Sequence, residues 1–382
     1  MQIHQELELE PFGSPEVQPP EQARQVAGER INLSHLDRMT DSTGLIQHAI
    51  YSIPRRESGY TTDDNARALR LCARLWGRQP NVRMLGRVTT FLSFLEHARC
   101  PVRGFHNFLS YQRDWLDAAG TGDCQGQAVL ALAEVLGSGL PEGFRSLARE
   151  LIESVLPTLA DLRSLRAEAY VILAWGQLVS AGVDDVESFE NVARAAARRL
   201  VECYQRSKRA DWLWFESRMT YANAVLPHAL FSAARCWPNE SYLDVAVESF
   251  NFLARVTTVD DVFWPVGNCD WYPHDEAKSL YDQQPVEAST MAEAALAAFA
   301  ATGSEDCRQN FQRAHRWFHG ENSLRLPLAD VDCGACCDGL VPGDVNRNQG
   351  AESTLALLWT ELQHANIRNT VGVDCGVHLA GD

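Results

Sequence analysis

The chain has 382 residues, 46% hydrophobic and 22% charged, an ordinary globular balance that fits one large domain or two to three smaller ones. With 34 basic and 50 acidic residues the net charge is −16, a surface that repels phosphate backbones and anionic lipid, so neither nucleic-acid nor membrane binding is expected. No apolar run is long enough to span a bilayer, the first 20 residues lack the regions of a secretory signal, and the 11 scattered cysteines are unlike a secreted disulfide scaffold, so a soluble, reduced, cytoplasmic chain is expected.

Residues 1–28 are rich in Pro, Glu and Gln with little apolar periodicity, and they predict a mobile leader. The ordered part begins with a short helical stretch, NLSHLDRM, and then repeats one grammar six times: a polar cluster followed by an apolar, Ala/Leu-rich run of helical period. In chain order these runs are GYTTDDNARALRLCARLWG from Gly59, GDCQGQAVLALAEVLG from Gly122, LRAEAYVILAWGQLVSAG from Leu165, MTYANAVLPHALFSAARCW from Met219, QQPVEASTMAEAALAAFAATG from Gln283 and NQGAESTLALLWTELQHA from Asn348. Most are apolar nearly all round, as helices buried on both sides must be. Between them stand amphipathic, charged helices: RMLGRVTTFLSFLEHA, EGFRSLARELIESVL, SFENVARAAARRLVECY, YLDVAVESFNFLA and CRQNFQRAHRWF.

Six alternations of a buried and a charged helix predict an all-α fold, an (α/α)6 toroid with an inner and an outer ring, as a single domain over residues 29–367 with a weakly ordered tail at 368–382. An open solenoid would use the same helix pairs, but six repeats without capping grammar favour closure. Strand signals are sparse and fall in RGFHNFLSYQRDWLD and VFWPVGNCDWY, where small β-hairpins would project from one mouth.

In such a ring the inner helices run the same way, so their polar N-terminal clusters converge on one mouth. That mouth would be lined by Asp63, Asp64, Asn65, Asp123, Gln125, Glu168, Glu216, Tyr221, Asn223, Gln284, Glu287, Asn348 and Glu352, with Tyr60, His106, Tyr111, Trp115, Trp212, Trp214, Trp264 and Trp271 near in sequence. Carboxylates, amides and flat aromatic faces suit a sugar, whose hydroxyls need paired donors and acceptors and whose C–H faces stack on rings.

Each residue also has a plainer reading. Asp63 and Asp123 can be helix caps, and Glu287 and Glu352 can tie loop backbone across the mouth. Glu216, among aromatic neighbours that would raise its pKa, is either a proton donor or a buried partner of Arg218. Lone histidines such as His48, His106, His228 and His274 usually pack or hydrogen-bond. DCGACCDG lacks a second cysteine or histidine pair at zinc spacing, and TTDDNAR meets neither the DDxxD nor the DxDD pattern of terpenoid enzymes. No metal or cofactor is therefore expected.

The string HLDRMTDSTGLIQHAIYSIPRRESGYTTDDNARAL, with FHNFLSYQRDWLDAAGTGDCQGQA, WLWFESRMTYANAVLPHAL, FWPVGNCDWY, YDQQPVEAST and DGLVPGDVNRNQGAEST, resembles a bacterial (α/α)6 domain of the six-hairpin glycosidase type. Such domains are often found behind, or encoded near, glycosyltransferases, so the resemblance implies carbohydrate handling and a functional partnership with a glycosyltransferase. The chain itself has no alternating βα pattern and no Gly-rich nucleotide loop, so sugar-nucleotide transfer is not expected.

The expectation is thus a glycoside hydrolase, or a phosphorolytic relative, acting on an oligosaccharide. The six-hairpin glycosidases it resembles include many inverting enzymes, which need two carboxyl groups roughly 6.5–9.5 Å apart. Glu216 is the expected general acid and Asp64 the general base, with Asp123 and Glu287 as substitutes. Tyr60, Asp63, Asn65, Arg67, His106, Arg113, Gln125, Tyr221, Asn223, Trp271, Gln284, Asn348 and Glu352 are the expected substrate contacts. Two alternatives stay open: a noncatalytic glycan-binding toroid, and a sugar epimerase using paired inner-helix histidines, for which His228 is the one well-placed candidate. Oligomeric state is undetermined.

Overall fold

The computed structural model describes residues 31–100, 103–183, 187–238 and 240–375. The expected leader, 1–28, lies outside the described residues, as do 376–382 of the expected tail. Twelve helices occur among the described residues: α1 (Ser34–Met39), α2 (Thr62–Trp76), α3 (Val82–Ala98), α4 (Gly122–Leu136), α5 (Glu142–Leu159), α6 (Leu165–Ser180), α7 (Glu187–Ser207), α8 (Val225–Cys236), α9 (Tyr242–Val256), α10 (Pro285–Thr302), α11 (Glu305–Phe318) and α12 (Ala351–Cys375). The last of these continues into the stretch expected to be a weak tail.

The even-numbered helices form a closed ring: α2 packs on α4, α4 on α6, α6 on α8, α8 on α10, α10 on α12, and α12 returns to α2. Each odd-numbered helix from α3 to α11 packs on the outside of the inner helix before it, and the short α1 packs on α12. This is the (α/α)6 toroid, closed rather than solenoidal.

Composition explains which helix lies where. Along α4 every residue from Cys124 to Leu136 is buried, whereas α5 buries one stripe, Ala148, Leu151, Ile152, Val155 and Leu159, and turns its charges outward. Small residues let the inner helices approach closely: a Cβ added at Gly176 of α6 would stand 1.9 Å from Ser232 Oγ of α8.

Helix starts are fixed locally. The Thr61 hydroxyl accepts from Asp64 N at 3.2 Å, Asn81 Oδ1 accepts from Met84 N at 2.9 Å, and Pro285 opens α10 where no amide donor is needed. Short antiparallel pairs decorate the connections between helices: Tyr60–Thr61 with Phe108–Leu109, Arg218–Met219 with Tyr272–Pro273, and Gly339–Val341 with Asp344–Asn346. Two of these involve the loops where strands were expected; the third, after α11, carries no such sequence signal.

Candidate active site

The N-terminal ends of the inner helices meet at one mouth, and polar contacts join them around the ring. Asp63 N of α2 donates to Asn107 Oδ1, from the loop before α4, at 3.2 Å. Ser164, capping α6, donates to Asp123 of α4 at 3.0 Å. Asn223, before α8, donates to Glu287 of α10 at 3.1 Å, and Glu352 of α12 meets Arg67 of α2 at 3.0 Å.

One half of the mouth is organised by Arg67. The cap at Thr61 puts Asp63 and Asp64 in the first turn of α2, and one turn of helix brings Arg67 onto the same face. Its guanidinium lies 3.1 Å from Asp63 Oδ1, 3.2 Å from Asp64 Oδ1 and 3.0 Å from Glu352 Oε2. These groups border a cavity of about 390 Å³ whose wall also includes His48, Asn107, Phe108, Asp282, Gln284 and Asp338.

The three carboxyl groups are not equivalent. Asp64 is nearly sealed, with Oδ2 accepting from the Thr61 hydroxyl at 2.7 Å and Oδ1 on Arg67; burial raises its pKa against the pull of Arg67. Asp63 keeps 23% of its side chain exposed, toward the cavity. Burial raises its pKa to about 7, since the opposing charge of Arg67 is itself offset by Asp64, Glu352 and Asp123. Glu352 is the most open, with 43% of its side chain exposed. The cluster therefore contains a carboxyl that exchanges its proton near neutrality beside an accessible carboxylate, the two elements of acid–base chemistry.

The other half is organised by Arg166. It ion-pairs with Glu216 at 3.0 Å, donates to the Tyr221 carbonyl and lies 4.7 Å over the Tyr221 ring, whose hydroxyl donates to Asp123 at 2.7 Å. Glu287 accepts from Asn223 and is buried, which raises its pKa to about 7 despite those hydrogen bonds.

Of the expected site residues, Asp63, Asp64, Arg67, Gln284 and Glu352 come together at the cavity. Others differ from expectation. The apolar pocket expected around Glu216 is absent: the carboxylate pairs with Arg166 rather than Arg218, while Trp212 and Trp214 turn into the core. Tyr60 is 2% exposed with its hydroxyl on Asp41, Asn65 ties Leu45 to Thr61, and Gln125 is held by Phe105 and Gly120. These three are buried and held by partners within the fold, Asp41 for Tyr60 and backbone groups for Asn65 and Gln125.

His106 bonds Asp117 O and stacks on Trp115, Arg113 stands exposed in a turn at φ 72°, Asn348 accepts from Tyr51 N, and Trp271 donates to Asn268. Glu168 pairs outward with Arg199. His228 lies in a different cavity, of about 570 Å³, among the C-terminal halves of the inner helices with Arg74, Arg235, Glu293 and Trp359; burial lowers its pKa to about 4.

Sequence reasoning read His48 as a packing histidine and missed Asn107, Asp282 and Asp338, all of which border the cavity. A signal existed for the last: Asp338 precedes the Gly339–Val341 hairpin and accepts from Gly350 N at 2.8 Å, so it fixes the entry to α12 as well as lining the cavity.

No protein-family model matches the sequence, and no curated protein matches it. Solved structures do. A D-mannose isomerase superposes with a TM-score of 0.68 at 13% identity, covering 91% of this chain and 98% of that one. A cellobiose 2-epimerase from Spirochaeta thermophila gives 0.67 at 12%, covering 91% and 98%. An inactive α-1,6-mannanase from a Salegentibacter species, with two consecutive aspartates changed to asparagine and α-1,6-mannotriose bound, gives 0.59 at 12%, covering 89% and 98%. The fold is that of the six-hairpin toroids. At these identities the likeness concerns the fold, on which both isomerases and glycosidases are built.

Proposed function

We propose that the chain is a carbohydrate-active enzyme, an inverting glycoside hydrolase or phosphorolytic relative that acts on an oligosaccharide at the Arg67 side of the mouth. The observation that carries this reading is the Asp63 carboxyl, held at about pKa 7 against a 390 Å³ cavity and sharing one guanidinium with the open carboxylate Glu352. Because Asp63 and Glu352 hang on the same planar fork, their bonded oxygens are at most about 8 Å apart, a bound that admits an inverting and a retaining pair alike, so the anomeric configuration of the product decides between them.

In this reading Asp63 gives its proton to the glycosidic oxygen as the bond from that oxygen to the anomeric carbon breaks and the leaving alcohol departs. Glu352 takes a proton from the water (or phosphate) that attacks the opposite face of the same carbon. Asp64 and Arg67 position the two, and His48, Asn107 and Gln284 meet sugar hydroxyls, with Phe108 as the aromatic wall. The assignment moves the acid from Glu216 to Asp63 because Glu216 is spent on Arg166.

An epimerase would need two opposed histidines. Among the described residues His48 is the one histidine on this cavity and His228 lies in the other, so the hydrolase reading is better supported. A reducing, cytoplasmic setting is proposed on the ten cysteines whose side chains are described, all free; no described helix is long and apolar enough to cross a membrane. The partnership with a glycosyltransferase rests on the sequence resemblance alone.

The test is an oligosaccharide panel, with and without phosphate, followed by the anomeric configuration of the product. Asp63→Asn and Glu352→Gln should each lower turnover by about 10²–10⁴-fold with the fold intact, while Glu216→Gln keeps most activity. Full activity in Asp63→Asn overturns the assignment.

A further inference from the structure

Away from the mouth, the contact between α11 and α12 gathers nitrogen and oxygen donors. His315 sits in the last turn of α11 and His319 is its C-cap, so the i, i+4 spacing sets both rings on one face. Both ring Nε2 atoms face the same carboxylate oxygen of α12, His315 at 3.2 Å and His319 at 2.7 Å from Glu361 Oε1. One ligand atom from each of the three lies within 4.8 Å of the other two. The side chains are partly enclosed, with 12%, 34% and 28% exposure for His315, His319 and Glu361. One helical turn beyond Glu361, the ring of His364 is centred 4.0 Å from that of His315.

Tetrahedral zinc with bonds near 2.0–2.1 Å separates its ligand atoms by about 3.3 Å, and the two N···O separations, 3.2 and 2.7 Å, stand close to that spacing, with the two ring nitrogens within 4.8 Å of each other. Two imidazoles with one carboxylate select zinc, cobalt, nickel or copper over magnesium and calcium, which prefer all-oxygen sites.

We propose that His315, His319 and Glu361 form a binding site for a divalent transition-metal ion of the zinc class, which clasps the last outer helix to the last inner one. The spacings are visible in the sequence as HRWFH and ELQHA, but they lie on separate helices whose facing is fixed only by the ring. The site stands apart from the Arg67 cluster and does not depend on the proposed hydrolase reading.

The experiment uses the full, untagged chain freed of metal by a chelator. Titration with Zn²⁺ followed by calorimetry should show one equivalent bound at micromolar affinity or better and a raised thermal midpoint, with no response to Mg²⁺. His315→Ala, His319→Ala and Glu361→Gln should each weaken binding by about 10–100-fold or more. Circular dichroism and the metal-free midpoint of each variant separate loss of the site from loss of the fold. Co²⁺ should give visible bands without thiolate charge transfer. Unchanged affinity in the folded variants, binding weaker than about 100 µM, or a thiolate spectrum that assigns the ion to the cysteines around Cys336 would each overturn the proposal.

Discussion

Glu352, in the first turn of the last inner helix, holds Arg67 of the first inner helix at 3.0 Å, and so closes the ring with an ion pair at the same point where the cavity opens. Arg67 therefore has a structural role within the proposed site, enclosed among three carboxyl groups.

Arg67→Met tests the structural part. Removing the cation leaves Asp63, Asp64 and Glu352 facing one another, and stripping one partner from an enclosed ion pair costs about 3–5 kcal/mol. Urea unfolding at pH 7 should show this loss, and Arg67→Met with Asp64→Asn should recover part of it. A loss below about 1 kcal/mol would mean that the carboxyl groups are already neutral or solvated.

Asp63 makes stability depend on pH. Its pKa rises from an ordinary 3.8 to about 7 on folding, so the native chain holds a proton that the unfolded chain has released. That contribution is fully present below about pH 4 and is lost as pH rises through 7. Asp63→Asn should therefore gain on the native protein between pH 5 and pH 8, by about 2 kcal/mol once solvent access to the side chain is allowed for. Denaturant midpoints at the two pH values measure it. Activity needing the protonated form should fall along an alkaline limb near pH 7.

Glu287 separates a hydrogen-bonding role from a charged one. Its carboxyl is 6% exposed, is raised to about 7 by burial and accepts from Asn223 N and Nδ2. Glu287→Gln retains an acceptor for those donors, so it should match the native stability at pH 5.5 and exceed it at pH 8. Glu287→Ala removes the acceptor of Asn223 N and of one Nδ2 hydrogen, while Nδ2 keeps Thr220 O, and should cost about 1–3 kcal/mol at both. Equal behaviour of the two variants in thermal melts would show that the hydrogen bonds contribute nothing.

Asn65 is expected to act only through the fold. Its side chain receives Leu45 N at 2.8 Å and donates to Thr61 O at 2.7 Å, fixing the loop before α2 to the helix start. Asn65→Ala should lose about 2–3 kcal/mol in unfolding experiments, while turnover per folded molecule stays within a few-fold of native. A selective collapse of turnover with unchanged stability would return Asn65 to the substrate contacts.

The mouth shows how far residue types alone can be read. Asp63, Arg67 and Glu352 were legible as one polar cluster because each opens, or lies one turn into, a repeat of the same grammar. Asn65 and Gln125 belong to the same grammar, but their amides turn inward to Leu45 and Phe105, and no local pattern distinguishes an amide facing a cavity from one tying down a loop. Glu216 has surroundings other than those its sequence neighbours suggest, for a related reason. Its aromatic neighbours in sequence pack into the core, and its partner, Arg166, comes from the preceding repeat.

What the sequence determined by itself was the number, order and polarity of the helices, and hence the stacked helix pairs; that they close into a ring was decided by α12 packing on α2. Number, order and polarity follow from a 3.6-residue period and from whether a helix is apolar on one side or all round, both properties of a short stretch of chain. Tertiary structure alone decided that burial raises the pKa of Asp63, which amides face the cavity, and that His315, His319 and Glu361 meet. Burial and ion pairing are set by residues from distant repeats, because closing the ring brings α12 against both α2 and α11.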